Sequence, residues 1–166
     1  EKIKPVLVLI HGFPTASIDW QYLWPHLTKH FRLVTLDMIG FGLSDKPLDY
    51  AYSINDQADI FQALLKQLEV SKYHLLAHDY GDTVAQELLA RQLEAPKILS
   101  TLLLNGGLFP ETHHPVLAQK LLISPLGPWL IKFYSFKKFK KTFATICARS
   151  IAEEELNVYW GFCEYR

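Results

Sequence analysis

The chain has little cysteine, no excess of either charge and no long apolar run. Its 166 residues contain two cysteines, Cys147 and Cys163, which are too few for a disulfide framework and are typical of a reducing compartment. Seventeen basic and 17 acidic side chains balance, which excludes the strongly basic surface of a nucleic-acid-binding protein. No apolar run reaches membrane-spanning length, and the residues before the first strand do not have the pattern of a signal peptide. We therefore expect a cytoplasmic protein without membrane association, unless a segment before Glu1 carries an anchor.

The composition, with 49% apolar and 20% charged residues, is that of a globular protein with one sizeable core. Short apolar runs predict four β-strands, at residues 6–10, 32–36, 73–78 and 98–104. Helical periodicity fills the segments between them, at about 18–30, from a Ser53 capping box onward, and at 81–92. Strands that alternate with helices pair in parallel, and such sheets bind ligands beyond the carboxyl ends of their strands. The sequence thus predicts an α/β fold.

Beyond Gly107 no strand pattern remains. Helices are predicted at 115–123, 129–133 and 136–148, and a capping box of Ser150 and Glu153 predicts a last helix to about Trp160. We therefore divide the chain into a partial α/β core, residues 1–107, and a helical cap or lid region, residues 108–166. The four lysines between positions 137 and 141 are interpreted as the solvated face of a cap helix, with contact to an anionic membrane as the lesser alternative.

The third strand leads through an abrupt turn into a helix, and Asp79 stands at the turn. The residues two before and two after it, Ala77 and Gly81, are small, which lets strand and helix approach closely, as in a nucleophile elbow. The alternative is that Asp79 is an ordinary helix N-cap. We interpret Asp82, in the first helical turn, as a surface acid that complements the helix dipole. The alternative is that it couples to Asp79 and raises the pKa of one carboxylate.

Three motifs at predicted strand ends carry a resemblance to a known family: His11-Gly12-Phe13-Pro14, the loop 37–47 and His78-Asp79-Tyr80-Gly81. Together they resemble the α/β-hydrolase family, above all its epoxide hydrolase and haloalkane dehalogenase branch. The resemblance implies an α/β-hydrolase fold, with a partial parallel sheet followed by a helical cap. It implies that Asp79 is the nucleophile and that the backbone N–H groups of Phe13 and Tyr80 form the oxyanion hole. The residues that would organise the loops are His11, Gly12, Pro14, His78 and Gly81.

An aspartate nucleophile suits displacement at a saturated carbon, because the carboxylate is ionised at neutral pH and needs no base to attack. The product is an alkyl-enzyme ester, and water hydrolyses it through an oxyanion to which each backbone donor contributes about 3 kcal/mol. Attack on an ordinary ester would give a high-energy anhydride, which argues against a simple esterase. We therefore expect a small apolar substrate of the epoxide or haloalkane class, with no cofactor and no metal.

Two departures from the family pattern bear on the substrate. Related dehalogenases carry a tryptophan directly after the nucleophile and a second side-chain donor in the His-Gly loop, whereas this chain has Tyr80 and Phe13. The His-Gly-x-Pro form resembles epoxide hydrolases, in which cap tyrosines protonate the opening epoxide. The Phe13–Pro14 bond is a predicted cis peptide. The tyrosines of the predicted cap that could donate this proton are Tyr134, Tyr159 and Tyr165.

The general base is not identified in this sequence. Water attack on the ester needs a histidine oriented by a carboxylate, and the family order places both after the cap. His113 and His114 have no strand behind them, and Asp37 and Asp45 are expected to order their own loop. We expect the acid and base to lie after Arg166, with little turnover from these residues alone. The alternatives are a haloalkane dehalogenase, a non-catalytic α/β-hydrolase-like binding protein, or an acyl hydrolase that uses Asp79 otherwise.

Overall fold

The computed structural model describes residues 3–92, 97–107, 120–121 and 124–164. The chain divides into two compact units, whose main segments are Glu1–Leu108 and Phe109–Glu164. The first unit contains strands and helices, and the described elements of the second are helices. The assignment of the second unit as a cap remains a prediction.

The first unit is built on four strands: β1 (Val6–Ile10), β2 (Arg32–Thr35), β3 (Lys72–His78) and β4 (Lys97–Leu104). Their order in the sheet is β2-β1-β3-β4, and each pairing is parallel. The register pairs Ile10 with Ala77 and His78 with Leu104, so the segments that follow these three strands leave from the same edge of the sheet. The predicted parallel α/β sheet is confirmed.

The helices of the first unit are α1 (Trp24–Leu27), α2 (Ile54–Gln67) and α3 (Tyr80–Ala90). The predicted cap of α2 is confirmed, because the Ser53 hydroxyl accepts a hydrogen bond from the Asp56 N–H at 3.1 Å. The continuous helix predicted at about 18–30 is wrong. The chain forms a 3₁₀ helix at Ser17–Trp20 and the single turn of α1. Pro25 explains the break, because it lacks an N–H and fits only the first turn of a helix.

An apolar cluster covers each face of the sheet. Leu7, Leu9 and Leu76 surround Trp20 on one face. Strand β2 was expected to be buried on both faces, and this prediction is wrong, since Val34 is its only buried residue. The strand lies at the edge of this sheet and has a neighbouring strand on one side only. The cluster on the other face joins β1 and β3 to α2 and α3 through Val8, Ile10, Leu75, Ala77, Phe61, Leu65, Val84 and Leu88.

The described helices of the second unit are α4 (Gly127–Ile131), α5 (Phe136–Ile146) and α6 (Glu153–Glu164). Buried Phe139 and Phe143 of α5 pack their rings against Trp160 and Tyr159 of α6. The four lysines of α5 are exposed, as expected for a solvated face. Across the described ranges, no helix is both long and apolar enough to cross a bilayer.

The start of α6 differs from the predicted capping box of Ser150 and Glu153. The helix begins at Glu153, and the Leu156 N–H bonds to the carbonyl of Ala152. Three consecutive glutamates, 153–155, occupy the first turn, where negative charge complements the positive end of the helix dipole. The helix predicted at 115–123 lies mostly outside the described residues.

Candidate active site

Asp79 joins β3 to α3 in a strained backbone conformation. Its φ is +53° and its ψ is −118°, a region that costs a residue with a side chain about 1–3 kcal/mol. The Asp79 N–H bonds to the Leu104 carbonyl at 3.0 Å, which ties the turn to the end of β4. No side-chain cap bond joins the Asp79 carboxylate to the described helix α3. The carboxylate therefore does not act as an ordinary N-cap.

Close contact between strand and helix explains the glycine at position 81. A Cβ at Gly81 would lie 2.5 Å from the His11 carbonyl oxygen and 2.6 Å from that of Ile10. These neighbours are backbone atoms, which cannot move aside as a flexible side chain could. The first turn of α3 therefore lies directly against the end of β1, and only glycine fits between them.

The loop after β1 brings a backbone donor to Asp79. The Phe13 N–H donates to Asp79 Oδ1 at 2.8 Å, and the Phe13–Pro14 bond is cis, as predicted. Tyr80 is the first residue of α3, so its N–H has no acceptor within the helix. A Cβ at Gly12 would lie 2.7 Å from both Asp79 Cβ and His78 Nδ1, which explains the glycine there.

His11 is fully buried and fastens this loop to the one that follows β2. Its Nε2 accepts a hydrogen bond from the Met38 N–H at 3.0 Å, so Nδ1 carries the ring proton and donates to the Gly12 carbonyl at 2.9 Å. Burial lowers the pKa of His11, which favours the neutral ring. Both ring nitrogens are engaged, so His11 supplies no proton acceptor to a substrate.

A second carboxylate, Asp19, lies behind the same loop, and sequence reasoning missed it. Thr15 Oγ1 donates to Asp19 Oδ2 at 2.5 Å, and the Gly12 N–H faces the same carboxylate. His78 Nδ1 lies 4.0 Å from Asp19 Oδ2. Burial raises the pKa of Asp19, and the Thr15 hydrogen bond opposes that shift. The only sequence signal is a threonine and an aspartate four residues apart, which is not specific.

Asp82 is buried, so its interpretation as a surface acid is wrong. It is 1% exposed, and its Oδ1 accepts from the Leu104 N–H at 3.3 Å. The pKa of Asp82 is raised, mainly by burial, while the Leu104 and Gly106 N–H groups oppose the shift and the Asp79 charge adds a smaller upward contribution. Asp82 Oδ2 is buried with no hydrogen-bond partner. A Cβ at Gly106 would overlap this carboxylate, so the glycine makes room for it.

Asp37 orders the loop after β2, as predicted. Its Oδ1 accepts from the Ser17 N–H at 2.8 Å and its Oδ2 from the Leu43 N–H at 2.9 Å. Burial alone would raise the pKa of Asp37, but these hydrogen bonds outweigh it and the pKa is lowered. The Asp45 backbone carbonyl accepts from the Gly40 N–H at 2.9 Å. This bond is made by the backbone of Asp45, so the ordering role predicted for its side chain stays a prediction.

Aromatic rings lie beside the Asp79 turn. The Phe41 ring contacts His11, Phe13 and Tyr80 at centroid distances of 5.3, 6.2 and 5.6 Å. Phe13 is 65% exposed and offers only its backbone N–H as a donor. Within the described ranges, no cluster of three or more His, Cys, Asp or Glu side chains could hold a metal ion.

The candidate tyrosines of the second unit have different surroundings. Tyr134 is 40% exposed and its hydroxyl donates to Thr142 Oγ1 at 3.3 Å. Tyr159 is buried at 6% exposure and its hydroxyl bonds to Glu155, so it belongs to the packed interior of this unit. Tyr165, His113 and His114 lie outside the described residues.

Comparison with curated proteins finds relatives of greater length. The chain is 49% identical over 145 residues to the mesoderm-specific transcript homolog protein of Bos taurus, covering 80% of this chain and 43% of that protein. It is 35% identical over 166 residues to the hydrolase-named protein LipZ of Mycobacterium tuberculosis, covering 97% and 57%. The chain thus spans about half the length of the curated relatives it matches.

Solved structures share the architecture. The haloalkane dehalogenase DbeA from Bradyrhizobium elkani superposes with a TM-score of 0.78 at 25% identity, over 97% of this chain and 56% of that chain. The epoxide hydrolase CorEH also gives a TM-score of 0.78, at 21% identity, over 98% and 65%. The family described as alpha/beta hydrolase fold matches residues 5–157. With that match over most of its length, the chain belongs to the α/β-hydrolase fold family.

Proposed function

We propose that this protein is a hydrolase in which Asp79 is the nucleophile and forms an alkyl-enzyme ester with an epoxide. The observation that carries the proposal is the 2.8 Å hydrogen bond from the Phe13 N–H to Asp79 Oδ1. An aspartate that only capped α3 would bond to the N–H groups of that helix, and Asp79 makes no such bond to the described α3. Its carboxylate instead meets a donor from another strand end.

In the first step, Asp79 Oδ2 attacks a ring carbon of the epoxide, since Oδ1 already accepts the Phe13 N–H. A carbon–oxygen bond to the carboxylate forms, the ring carbon–oxygen bond breaks, and the released oxygen takes a proton from an acid. The step leaves a hydroxyalkyl ester on Asp79.

In the second step, water attacks Asp79 Cγ and Oδ1 becomes the oxyanion. The Phe13 N–H already donates to that oxygen, and the Tyr80 N–H at the start of α3 is the proposed second donor. The positive end of α3 also favours the negative charge. A base accepts one proton of the water. Collapse of the oxyanion then breaks the Cγ–Oδ2 bond, and the leaving alkoxide takes the second proton, which releases a diol and restores the carboxylate.

A small apolar epoxide fits the surroundings of Asp79 better than a halide does. The rings of Phe13, Phe41 and Tyr80 lie beside the turn, and Phe13 has no side-chain donor to hold a leaving halide. Two cysteines in 166 residues support a reducing, cytoplasmic location for this activity.

Mass spectrometry of the Asp79 peptide tests the proposal. We expect the protein, mixed with a panel of epoxides, quenched in acid and digested, to carry one epoxide mass on Asp79. Asp79→Asn is the matched control, because it keeps the shape of the side chain and removes the nucleophilic charge. It should carry no adduct. An adduct formed only with haloalkanes would favour the dehalogenase alternative, and no adduct across both panels would contradict an aspartate nucleophile.

A further inference from the structure

The loop that carries the Phe13 donor is held at two points, and the reaction proposed above uses only one of them. At its front, the Phe13 N–H meets Asp79 Oδ1 at 2.8 Å. At its back, Thr15 Oγ1 donates to Asp19 Oδ2 at 2.5 Å, and the Gly12 N–H faces the same carboxylate. We propose that Asp19 is a positioning residue, which fixes the loop so that the Phe13 N–H points at the Asp79 carboxylate.

Asp19 and Thr15 are placed for this role by burial. The Asp19 side chain is 15% exposed and Thr15 is 7% exposed. Asp19 lies in the 3₁₀ helix Ser17–Trp20, whose Trp20 is anchored in an apolar cluster of the sheet. Asp19 is therefore a rigid support, and the loop that it holds contains no helix or strand of its own.

The chemistry of a carboxylate suits this position. A carboxylate only accepts hydrogen bonds, and the loop presents donors to it from Gly12 and Thr15. An asparagine of the same shape keeps only one acceptor oxygen and carries an NH₂ group in place of the other. The titratable groups that face Asp19 are His78, whose Nδ1 lies 4.0 Å away, and Asp79. The Thr15 hydroxyl is the side-chain donor that satisfies the Asp19 carboxylate.

The catalytic consequence rests on the proposed function. If the ester forms on Asp79, the Phe13 N–H stabilises the oxyanion in the second step more than it helps the first. Loss of Asp19 should therefore slow hydrolysis of the ester more than its formation. The position of the Phe13 N–H, in contrast, can be measured without any substrate.

Hydrogen exchange and the proton shift of the Phe13 amide, followed by NMR on the ¹⁵N-labelled protein, test the proposal directly. We expect Asp19→Asn to speed exchange of this amide about fivefold, as for the loss of one ordinary hydrogen bond. Thr15→Val removes only the hydroxyl donor, so it should also speed exchange of the Phe13 amide, but by less than Asp19→Asn does. Asp49→Asn, at an exposed loop acid, is the matched control and should leave the amide unchanged.

Two further readouts separate positioning from simple loss of structure. Thr15→Val should remain folded, with a cooperative unfolding transition, while the Phe13 amide changes, so this variant carries the test if Asp19→Asn does not fold. In the epoxide assay, Asp19→Asn should slow hydrolysis of the Asp79 ester more than it slows formation of the ester. An unchanged Phe13 amide in both variants would overturn the role of Asp19, whether or not any epoxide reacts. An altered amide without an Asp79 ester would overturn the proposed reaction and leave the role of Asp19 intact.

Discussion

At the scale of single residues, the Asp79 turn is flanked by two carboxylates, half-buried Asp19 and buried Asp82. Asp19 bonds to Thr15 in the loop that follows β1. Asp82 lies in α3, the helix that follows the Asp79 turn. Asp82 accepts a hydrogen bond from the Leu104 N–H, so it holds the end of β4 beside the first turn of α3. Its Oδ2 remains without a partner, and a buried unpaired charge is costly.

The cost of Asp82 predicts that its removal stabilises the protein at neutral pH. Folding raises the pKa of Asp82, so this acid binds its proton more tightly in the folded state. The free energy of unfolding therefore falls as the pH rises above the ordinary pKa of 3.8 and through the raised pKa of the folded state. We expect Asp82→Asn to raise the free energy of unfolding at pH 7 by about 1–2 kcal/mol and to change it little near pH 3. Urea unfolding at both pH values measures this. An equal effect at both would show that charge is not the cause.

At the scale of elements, the contact between α3 and β1 determines where the Asp79 turn can form. The first turn of α3 approaches the His11 and Ile10 carbonyls so closely that only glycine fits at position 81. The helix itself is ordinary, with buried Val84, Ala85 and Leu88 facing the sheet. The unusual feature of this helix is therefore the short distance between its first turn and the end of β1.

This contact predicts opposite effects for the same substitution in two helices. Gly81→Ala should lower the free energy of unfolding by about 1–3 kcal/mol, because the added methyl forces α3 away from β1. Gly161→Ala in α6 is the matched control. Its Cβ would meet nothing within 4 Å, so the higher helix propensity of alanine should stabilise the protein by about 0.5–1 kcal/mol. Denaturant midpoints compare the two variants, and stabilisation by Gly81→Ala would contradict the close contact.

At the scale of the whole molecule, buried titratable groups should give stability a pH dependence. His11 is fully buried with its pKa lowered, so the folded state disfavours its protonated form. The contribution of His11 to the free energy of unfolding is complete above the ordinary histidine pKa of 6.5. That contribution is lost as the pH falls below 6.5 toward the lowered pKa of the folded state. The pKa values of Asp19 and Asp82 are raised. These two acids therefore lower the free energy of unfolding as the pH rises above the ordinary pKa of aspartate.

A histidine variant isolates the first of these effects. The amide oxygen of His11→Gln can still accept the Met38 N–H, and the side chain no longer titrates. We expect the free energy of unfolding of this variant to fall less between pH 7 and pH 5 than that of the parent protein. His30→Gln, at an exposed histidine, should follow the parent protein. Parallel curves for His11→Gln and the parent would exclude His11 as the source of the acid sensitivity.

The sequence by itself determined the parts of this protein that depend on neighbours along the chain. Apolar runs and their spacing predicted four parallel strands, the small residues around Asp79 predicted a tight turn from strand to helix, and Ser53 predicted the start of α2. These signals are local, because a strand, a cap or a turn is specified within a few residues. Pro25 was also readable, since a proline ends the helical pattern drawn through 18–30.

Only the tertiary structure decided which side chains meet at the site. Asp82 is buried because it bonds to Leu104, 22 residues later, and because Gly106 leaves room for it. The Phe13 N–H meets Asp79 across 66 residues of sequence, which the family resemblance anticipated and periodicity could not. The contact of Asp19 with the same loop had no specific signal at all. Contacts of this kind arise where separate strands end at one edge of a sheet, and local sequence patterns do not predict them.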